Sequence, residues 1–552
     1  MLISRLFLKL SFVALFVTQA LPVYAENVTA DTVLRNLQQL EQRQQVLPVF
    51  PKQEERVVEL PPLDPSKSVL INELIFEGNE SISLESLNER FADSIGTKFD
   101  FARMKNLTDE VGEFYKEQGL WAKAILPQQT LENGRLVIRI FEGRLGNVFI
   151  ETSLSEGESL RFPKSRIEEF VVNGQKVGKT FDILAFEEGV KNLNAVPGIT
   201  ATGVLKAGEE QGETDVVINA ANAPLASGSV TFDGNGGRAT GYNQMTTMVG
   251  LDSPMGLGEQ LTAMLMKSRA LTVKSFGGSY PILSDGTRLG INLTNVNVAI
   301  SGSPPSLSST SLISLTRPFK QAVDMNISGT ASLTRKETPD EVTADVLALN
   351  GVFSWPGQLF GLDAVNSVNL TSTTGWQYDT ESVNKDASVD GLYSKFGFNL
   401  KQMLTLNTTD QLSLTLMGQV AFNNLDAGEK FGIAGLAGVR GYPAGEVSGD
   451  HGYFFSAQYQ RQFGASFQGR TYFDHGFVIK TQNPWNEDSS VGNYVQLSGV
   501  GVGGTYTHPS FSVTADLATR LGNNPVAQAD TGLDSDGTKR NIRAWIGITI
   551  PF

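Results

Sequence analysis

Cysteine is absent from the 552 residues. Disulfides, thiolate metal sites and thiol nucleophiles are therefore excluded, and an exported form of the chain must be stable without cross-links. Only three histidines occur, His451, His475 and His508, too scattered in sequence for a metal site. Positive charge is also scarce: 44 Lys and Arg stand against 58 Asp and Glu, a formal net charge of −14. That balance argues against nucleic acid as a partner, because its binding needs a basic face. Long hydrophobic runs are missing too. Beyond the N-terminus none approaches the ~20 residues that a membrane helix requires.

Motifs that suggest chemistry fail on their context. Gly499-Val500-Gly501-Val502-Gly503-Gly504 fits G-x-G-x-x-G, yet Thr505-Tyr506-Thr507-His508-Pro509 continues as strand and turn where a dinucleotide site needs a helix. Asp534-Ser535-Asp536-Gly537 lacks the distal Glu of a calcium loop and reads as an ordinary loop or turn. His475 follows Asp474, but neighbours on a strand face opposite sides, so no catalytic pair forms. Nothing assembles a nucleophile, a base and an oxyanion hole. The expectation is a protein that is not an enzyme, with no catalytic residues, no metal and no cofactor.

What the chain does have is alternation. In Arg543–Phe552, Ala544, Ile546, Ile548, Ile550 and Phe552 share one face, with Gly547 and Thr549 on the other. Leu412, Leu414, Leu416, Val420 and Phe422 alternate with Gln411, Ser413, Thr415 and Gln419. The same rhythm returns at Phe511–Leu517 and Met325–Leu333. Period-two patterning over about ten residues marks strands with one apolar and one polar face. In lipid such strands are stable only in a closed barrel, since an open edge leaves backbone groups unpaired. The stretch 223–552 allows about 21 residues for each of sixteen strands with its turn, so it is read as an antiparallel outer-membrane barrel ending on an aromatic assembly signal, Phe552. Lipid is thus the first partner.

The first 25 residues look different. Arg5 and Lys9 precede the apolar Leu10–Val17, and Val23-Tyr24-Ala25 offers small residues for cleavage, the pattern of a secretory signal peptide. Residues 26–45 hold a short helix capped by Asp31, with Val33, Leu34, Leu37 and Leu40 near one face and Asn36, Gln38, Gln39, Gln42 and Arg43 on the other. Such a helix suits a water-filled lumen, and a loosely ordered mature N-terminus suits the same residues. The proline- and charge-rich 46–67 reads as an extended linker.

Two α/β blocks separate linker and barrel, 68–143 and 144–222. Each reads as β-α-α-β-β. In the first, a strand over Val69–Phe76 precedes helices at Ser83–Phe91 and Phe101–Gln118 and strands at Ala122–Leu126 and Arg135–Phe141. Met104, Leu107, Val111 and Phe114 mark the buried side of the second helix. The second block repeats the order, with helices at Lys164–Val172 and Ile183–Leu193.

Phe76-Glu77-Gly78-Asn79, Tyr115…Gly119-Leu120, Leu126-Pro127-Gln128 and Phe141-Glu142-Gly143 resemble a polypeptide-transport-associated (POTRA) domain. Leu193-Asn194-Ala195-Val196-Pro197-Gly198 and Gly212-Glu213-Thr214-Asp215 resemble the POTRA nearest a barrel. Gly438-Val439-Arg440-Gly441-Tyr442 resembles the VRGY tip of a long sixth loop, here around 425–452. Phe473-Asp474-His475-Gly476 stands where the family has F-x-D-x-G, with the aspartate directly after the phenylalanine. Together these resemble the two-partner secretion transporter family (TpsB, haemolysin and filamentous-haemagglutinin secretion type) of the outer-membrane assembly factor superfamily.

The resemblance implies a sixteen-stranded barrel in the outer membrane of a Gram-negative bacterium. Two periplasmic POTRA domains and a helix that can plug the lumen would accompany it. It further implies export of one large β-helical exoprotein, a TpsA-like adhesin, haemolysin or toxin, and insertion by the barrel assembly machinery. Val439, Arg440, Gly441 and Tyr442 would form the loop-6 tip, set against Phe473, Asp474 and Gly476 of the wall. Gly438 and Gly441 would give that turn its tightness. An Arg440 fork on Asp474 would pin the loop; two separately solvated lumen charges are the other reading. A barrel-assembly insertase of the same superfamily usually carries more than two POTRA domains, and a passive porin needs neither α/β block.

Overall fold

The computed structural model describes residues 28–48, 50, 68–154, 158–210, 212–321, 324–338, 342–379, 389–484 and 492–552. The signal-peptide segment and most of the 46–67 linker lie outside the described residues.

Helix α1, Ala30–Gln44, starts at a capping box in which Thr29 and Thr32 each accept the other's backbone N–H. Its two otherwise orphaned amides are thereby satisfied.

The first α/β unit contains β1 (Val69–Ile71), β2 (Glu73–Glu77), α2 (Leu84–Arg90), β3 (Thr97–Phe99), α3 (Phe101–Glu117), β4 (Ala122–Ile125) and β5 (Arg135–Glu142). The sheet order is β2-β5-β4, with β2 parallel to β5. Asp100 caps α3 through the Arg103 amide, and Gly119, at φ 82, ends it. Met104, Leu107, Val111 and Tyr115 pack on Leu136, Ile138 and Ile140 in a closed core. The expected single strand over Val69–Phe76 is in fact two. Asn72 N–H donates to the Gly134 carbonyl at 2.8 Å, which continues the β2–β5 pairing by one residue, and upstream of it β1 pairs instead with β3.

The second unit contains β6 (Arg144–Thr152), α4 (Lys164–Val172), α5 (Ile183–Asn194), β7 (Ile199–Ala207) and β8 (Glu213–Asn222), ordered β6-β8-β7. Backbone bonds fasten the units together: Trp121 N–H to the Phe181 carbonyl at 3.1 Å and Phe181 N–H to the Gly143 carbonyl at 2.8 Å. The second unit also grips the barrel. Arg161 donates to the carbonyls of Asp252, Gly198 and Ala223. Gly198 sits so close to the first barrel turn that a Cβ there would lie 2.5 Å from that of Ser253.

Sixteen antiparallel strands then close a barrel, from Ala226–Asp233 to Ile542–Pro551. Alternation explains its two faces. Leu289, Ile291 and Leu293 form one outward series, and Ile313, Leu333, Leu349 and Val502 are likewise exposed to lipid. Thr316 bonds Thr330 and Asn350 bonds Thr371 on the lumen side. The C-terminus completes the ring: Phe552 and Gly228 exchange backbone bonds of 3.0 Å in both directions.

Candidate functional site

The outer end of the barrel is the one away from the α/β units. There, between strands Asp410–Ala421 and His451–Phe463, a long loop folds back into the lumen instead of standing above it. Its residues Phe431, Ile433, Val439 and Tyr442 join Met417, Phe454, Val478 and Leu497 of the wall in a buried apolar cluster. A short antiparallel pair, Phe431–Gly432 with Ser448–Gly449, forms its neck. Loop 6 is therefore held by a small core of its own.

At its tip, Arg440 meets Asp474 on the strand Phe467–Ile479. Nε lies 2.7 Å from Oδ2 and Nη2 lies 2.8 Å from Oδ1, a bidentate fork. Their side chains are 5% and 1% exposed. Ser456 donates to Asp474 Oδ1 at 2.7 Å, Gln458 accepts from Arg440 Nη1 at 3.1 Å, and the guanidinium lies over the Tyr472 ring. Every remaining demand of the ion pair is met locally, as burial in a low-dielectric site requires.

The other named positions divide by the pleat. Gly476 faces the loop, where a Cβ would meet Ile433 at 2.8 Å. Phe473 does not touch loop 6. It is 38% exposed on the lipid side because its neighbour Asp474 points inward, so its expected place as a wall partner is corrected. Tyr442 is fully buried in the loop-6 cluster. Gly438 gives the expected tightness through close approach, since a Cβ there would collide with the Ile433 backbone, while the left-handed conformations of the loop are at Gly435 and Gly445, φ 81 and 79. Gly441 serves close approach, since a Cβ would lie 2.7 Å from the Arg520 amide nitrogen. The Gly499–Gly504 run has the same logic: the tip passes over Gly499 and the Tyr472 ring covers Gly501. His475 faces outward, between Tyr453 and Ser498.

Helix α1 lies in the lumen beside loop 6. Arg43, near its C-terminus, donates to the Leu436 and Gly438 carbonyls, both at 2.6 Å, and comes within 3.5 Å of Asp474. Lys401 of the wall caps the helix end, reaching the carbonyls of Gln42, Arg43 and Gln45 at 2.8–2.9 Å. A cation placed there also complements the helix dipole. At the N-terminus Asp31 accepts from Thr338 at 2.7 Å and lies 3.5 Å from Lys336. Lys336 also lies 3.7 Å from Asp426 and 3.8 Å from Glu429 of loop 6, and Lys395 pairs with Glu429 at 2.7 Å. Between these polar ends, Ala30 and Leu34 pack on Met266, Leu271, Val273, Val296 and Val298.

Three participants escape a reading of the sequence. Arg43 shows there only as part of the polar side of a helix, Lys336 sits inside Thr334-Arg335-Lys336-Glu337, which looks like a solvated rim, and Trp545 looks like one more strand aromatic. The Asp534–Gly537 turn is more than ordinary as well: Arg520 and Arg543 bridge its carboxylates. Burial works against the Asp536 charge, but hydrogen bonds and the charge of Arg543, with help from Thr538, hold its carboxyl below the usual range. Burial pushes the Glu446 carboxyl of loop 6 up, against bonds from Ser535 and Asn524.

The POTRA domain model of ShlB type matches residues 69–143. The model for haemolysin secretion/activation protein ShlB/FhaC/HecB matches residues 212–272 and 350–506. The heme/hemopexin transporter protein HuxB of Haemophilus influenzae (strain 86-028NP) is 23% identical over 82% of this chain and 83% of its own. The outer membrane transporter CdiB of Dickeya dadantii is 26% identical over 29% of this chain and 26% of its own. Among solved structures, CdiB from Escherichia coli superposes with a TM-score of 0.69 at 16% identity, covering 96% of this chain and all of that one, which supports the fold. With its lipid-facing barrel, its α/β units and the inward-folded loop, the chain belongs to the haemolysin secretion/activation family, the outer-membrane transporters of two-partner secretion.

Proposed function

We propose that this transporter exports one large β-helical exoprotein, an adhesin, haemolysin or toxin of TpsA type. The two α/β units capture it in the periplasm as an extended chain. Helix α1 is the resting plug and the loop-6 tip is the gate. The observation that carries the reading is that Asp474 receives both Arg440 of the loop and Arg43 of the helix. One wall carboxylate thus senses both obstructions.

Capture suits the free edges of both sheets, β4 in the first unit and β7 in the second. Such edges add an extended peptide through backbone bonds. The periplasm supplies no nucleotide, so folding of the exported chain outside, together with capture inside, drives transport and no enzymatic step is required. Phe552 serves as the signal read by the barrel assembly machinery.

The test uses the full chain co-expressed with large, signal-bearing β-helical proteins of the same organism as clients. Deleting 68–222 should leave an inserted pore that exports nothing, and continued export overturns the capture role. Arg440→Ala should leave a folded barrel with lowered secretion, and full secretion counts against the gate.

A further inference from the structure

The seam between the first and last barrel strands is only partly laddered. Register pairs run from Pro551↔Ser229 to Gly547↔Asp233, and the Gly234 N–H adds a bond of 2.9 Å to the Ile546 carbonyl. Outward of that point, Ile542–Trp545 pair with the preceding strand, Phe511–Arg520, and have no register partner on the first strand among the described residues.

Side chains close this gap. Arg543 of the last strand is 8% exposed and reaches Asp534 at 2.8 Å and Asp536 at 2.9 Å, both in loop 8 (521–541). From loop 1 (234–243), Tyr242 donates to Asp536 at 3.3 Å and Arg238 to the Gly537 carbonyl at 3.2 Å. Loop 8 therefore spans the open half of the seam as a clasp.

Loop 6 is tied into the same place twice. The Trp545 indole N–H donates to the Arg440 carbonyl at 3.0 Å, with the ring 7% exposed. Glu446 accepts from the Ser535 amide, also at 3.0 Å. Neither bond is needed to hold Arg440 on Asp474, which the fork and Ser456 already do. Their effect is to connect the loop tip to the strand that ends the barrel. A buried indole N–H that loses its acceptor is costly, so the tip and the strand favour moving together.

We propose that Trp545 and the Asp534–Asp536 turn are positioning residues of transport, which couple departure of loop 6 from Asp474 to loosening of the outer half of the seam. The proposal rests on the gate reading of loop 6 given above. A chain that displaces the loop also relaxes the barrel wall beside it, widening the mouth at the moment of passage.

The test is amide hydrogen exchange by mass spectrometry on the full chain in nanodiscs, with the barrel first verified by heat-modifiable migration. Trp545→Phe keeps a ring and removes the donor. Exchange at 438–442 should accelerate about fivefold, the scale of one buried hydrogen bond. Asp536→Asn, placed in the loop rather than the wall, should accelerate exchange at both 542–545 and 438–442, and it serves alone should Trp545→Phe fail to assemble. Arg440→Ala should accelerate the same two segments. Unchanged exchange at 438–442 in both Trp545→Phe and Asp536→Asn overturns the tie. So does an Arg440→Ala variant whose tip is freed while 542–545 stay protected, although the gate then stands. If Trp545→Phe frees the tip and Arg440→Ala does not, the gate reading falls and the tie remains.

Discussion

Replacing Arg440 by alanine removes two bonds to Asp474, of 2.7 and 2.8 Å, from a site where the partners are 5% and 1% exposed. Hydrogen bonds to a charged group contribute about 1.5–3 kcal/mol each. The carboxylate is not orphaned, because Ser456 stays at 2.7 Å and Arg43 at 3.5 Å. We therefore expect a net loss near the lower end, about 3 kcal/mol, or roughly a hundredfold in the seated-to-released ratio of the loop tip. The absence of cysteine makes this measurable. Ala434→Cys, at a buried position in the loop, reports release through its labelling rate with a membrane-impermeant maleimide applied from outside. Arg440→Ala should raise that rate on the order of a hundredfold and Asp474→Asn by a similar factor. Their combination should add little, since both delete one interaction. A rise below about threefold, or additive single effects, would refute the fork as the element that seats the loop.

Other perturbations probe the remaining anchors. Lys336→Met leaves Asp31, Asp426 and Glu429 facing one another without their shared cation, so α1 and loop 6 should both loosen, read by maleimide labelling of Val28→Cys. Arg43→Ala removes three contacts at the other end of α1 and should raise the frequency of channel openings in planar bilayers, with deletion of 28–45 giving the larger, sustained conductance. Arg161→Ala should widen the spin-label distance distribution between the second α/β unit and the barrel while leaving barrel assembly unchanged; an unaltered distribution would show that the joint does not depend on this side chain.

The barrel and both α/β units are legible because their signals are local: period two in the strands, period 3.6 in α3 and α5, glycine at a helix end. Loop 6 and its aspartate are legible through short motifs. What the sequence hides is everything that depends on which remote segments meet. Trp545 and Arg440 are 105 residues apart, and nothing near either marks an indole on a loop carbonyl. Lys336 resembles its exposed neighbours Arg335 and Glu337 until the pleat turns it inward beneath α1. Phe473 goes to the loop only if motif adjacency is allowed to outweigh strand alternation. The β1–β3 pair stays hidden because three residues on each side are too few to show a period.

The aliphatic patch beneath α1 gives the resting state its own spring. When the helix departs, Met266, Leu271, Val273, Val296 and Val298 are left facing a water-filled bore. At about 25 cal/mol per Å², even partial rewetting of five such side chains costs several kcal/mol. On the plug reading proposed above, departure of the helix would load a restoring force, and its reinsertion would need no further trigger.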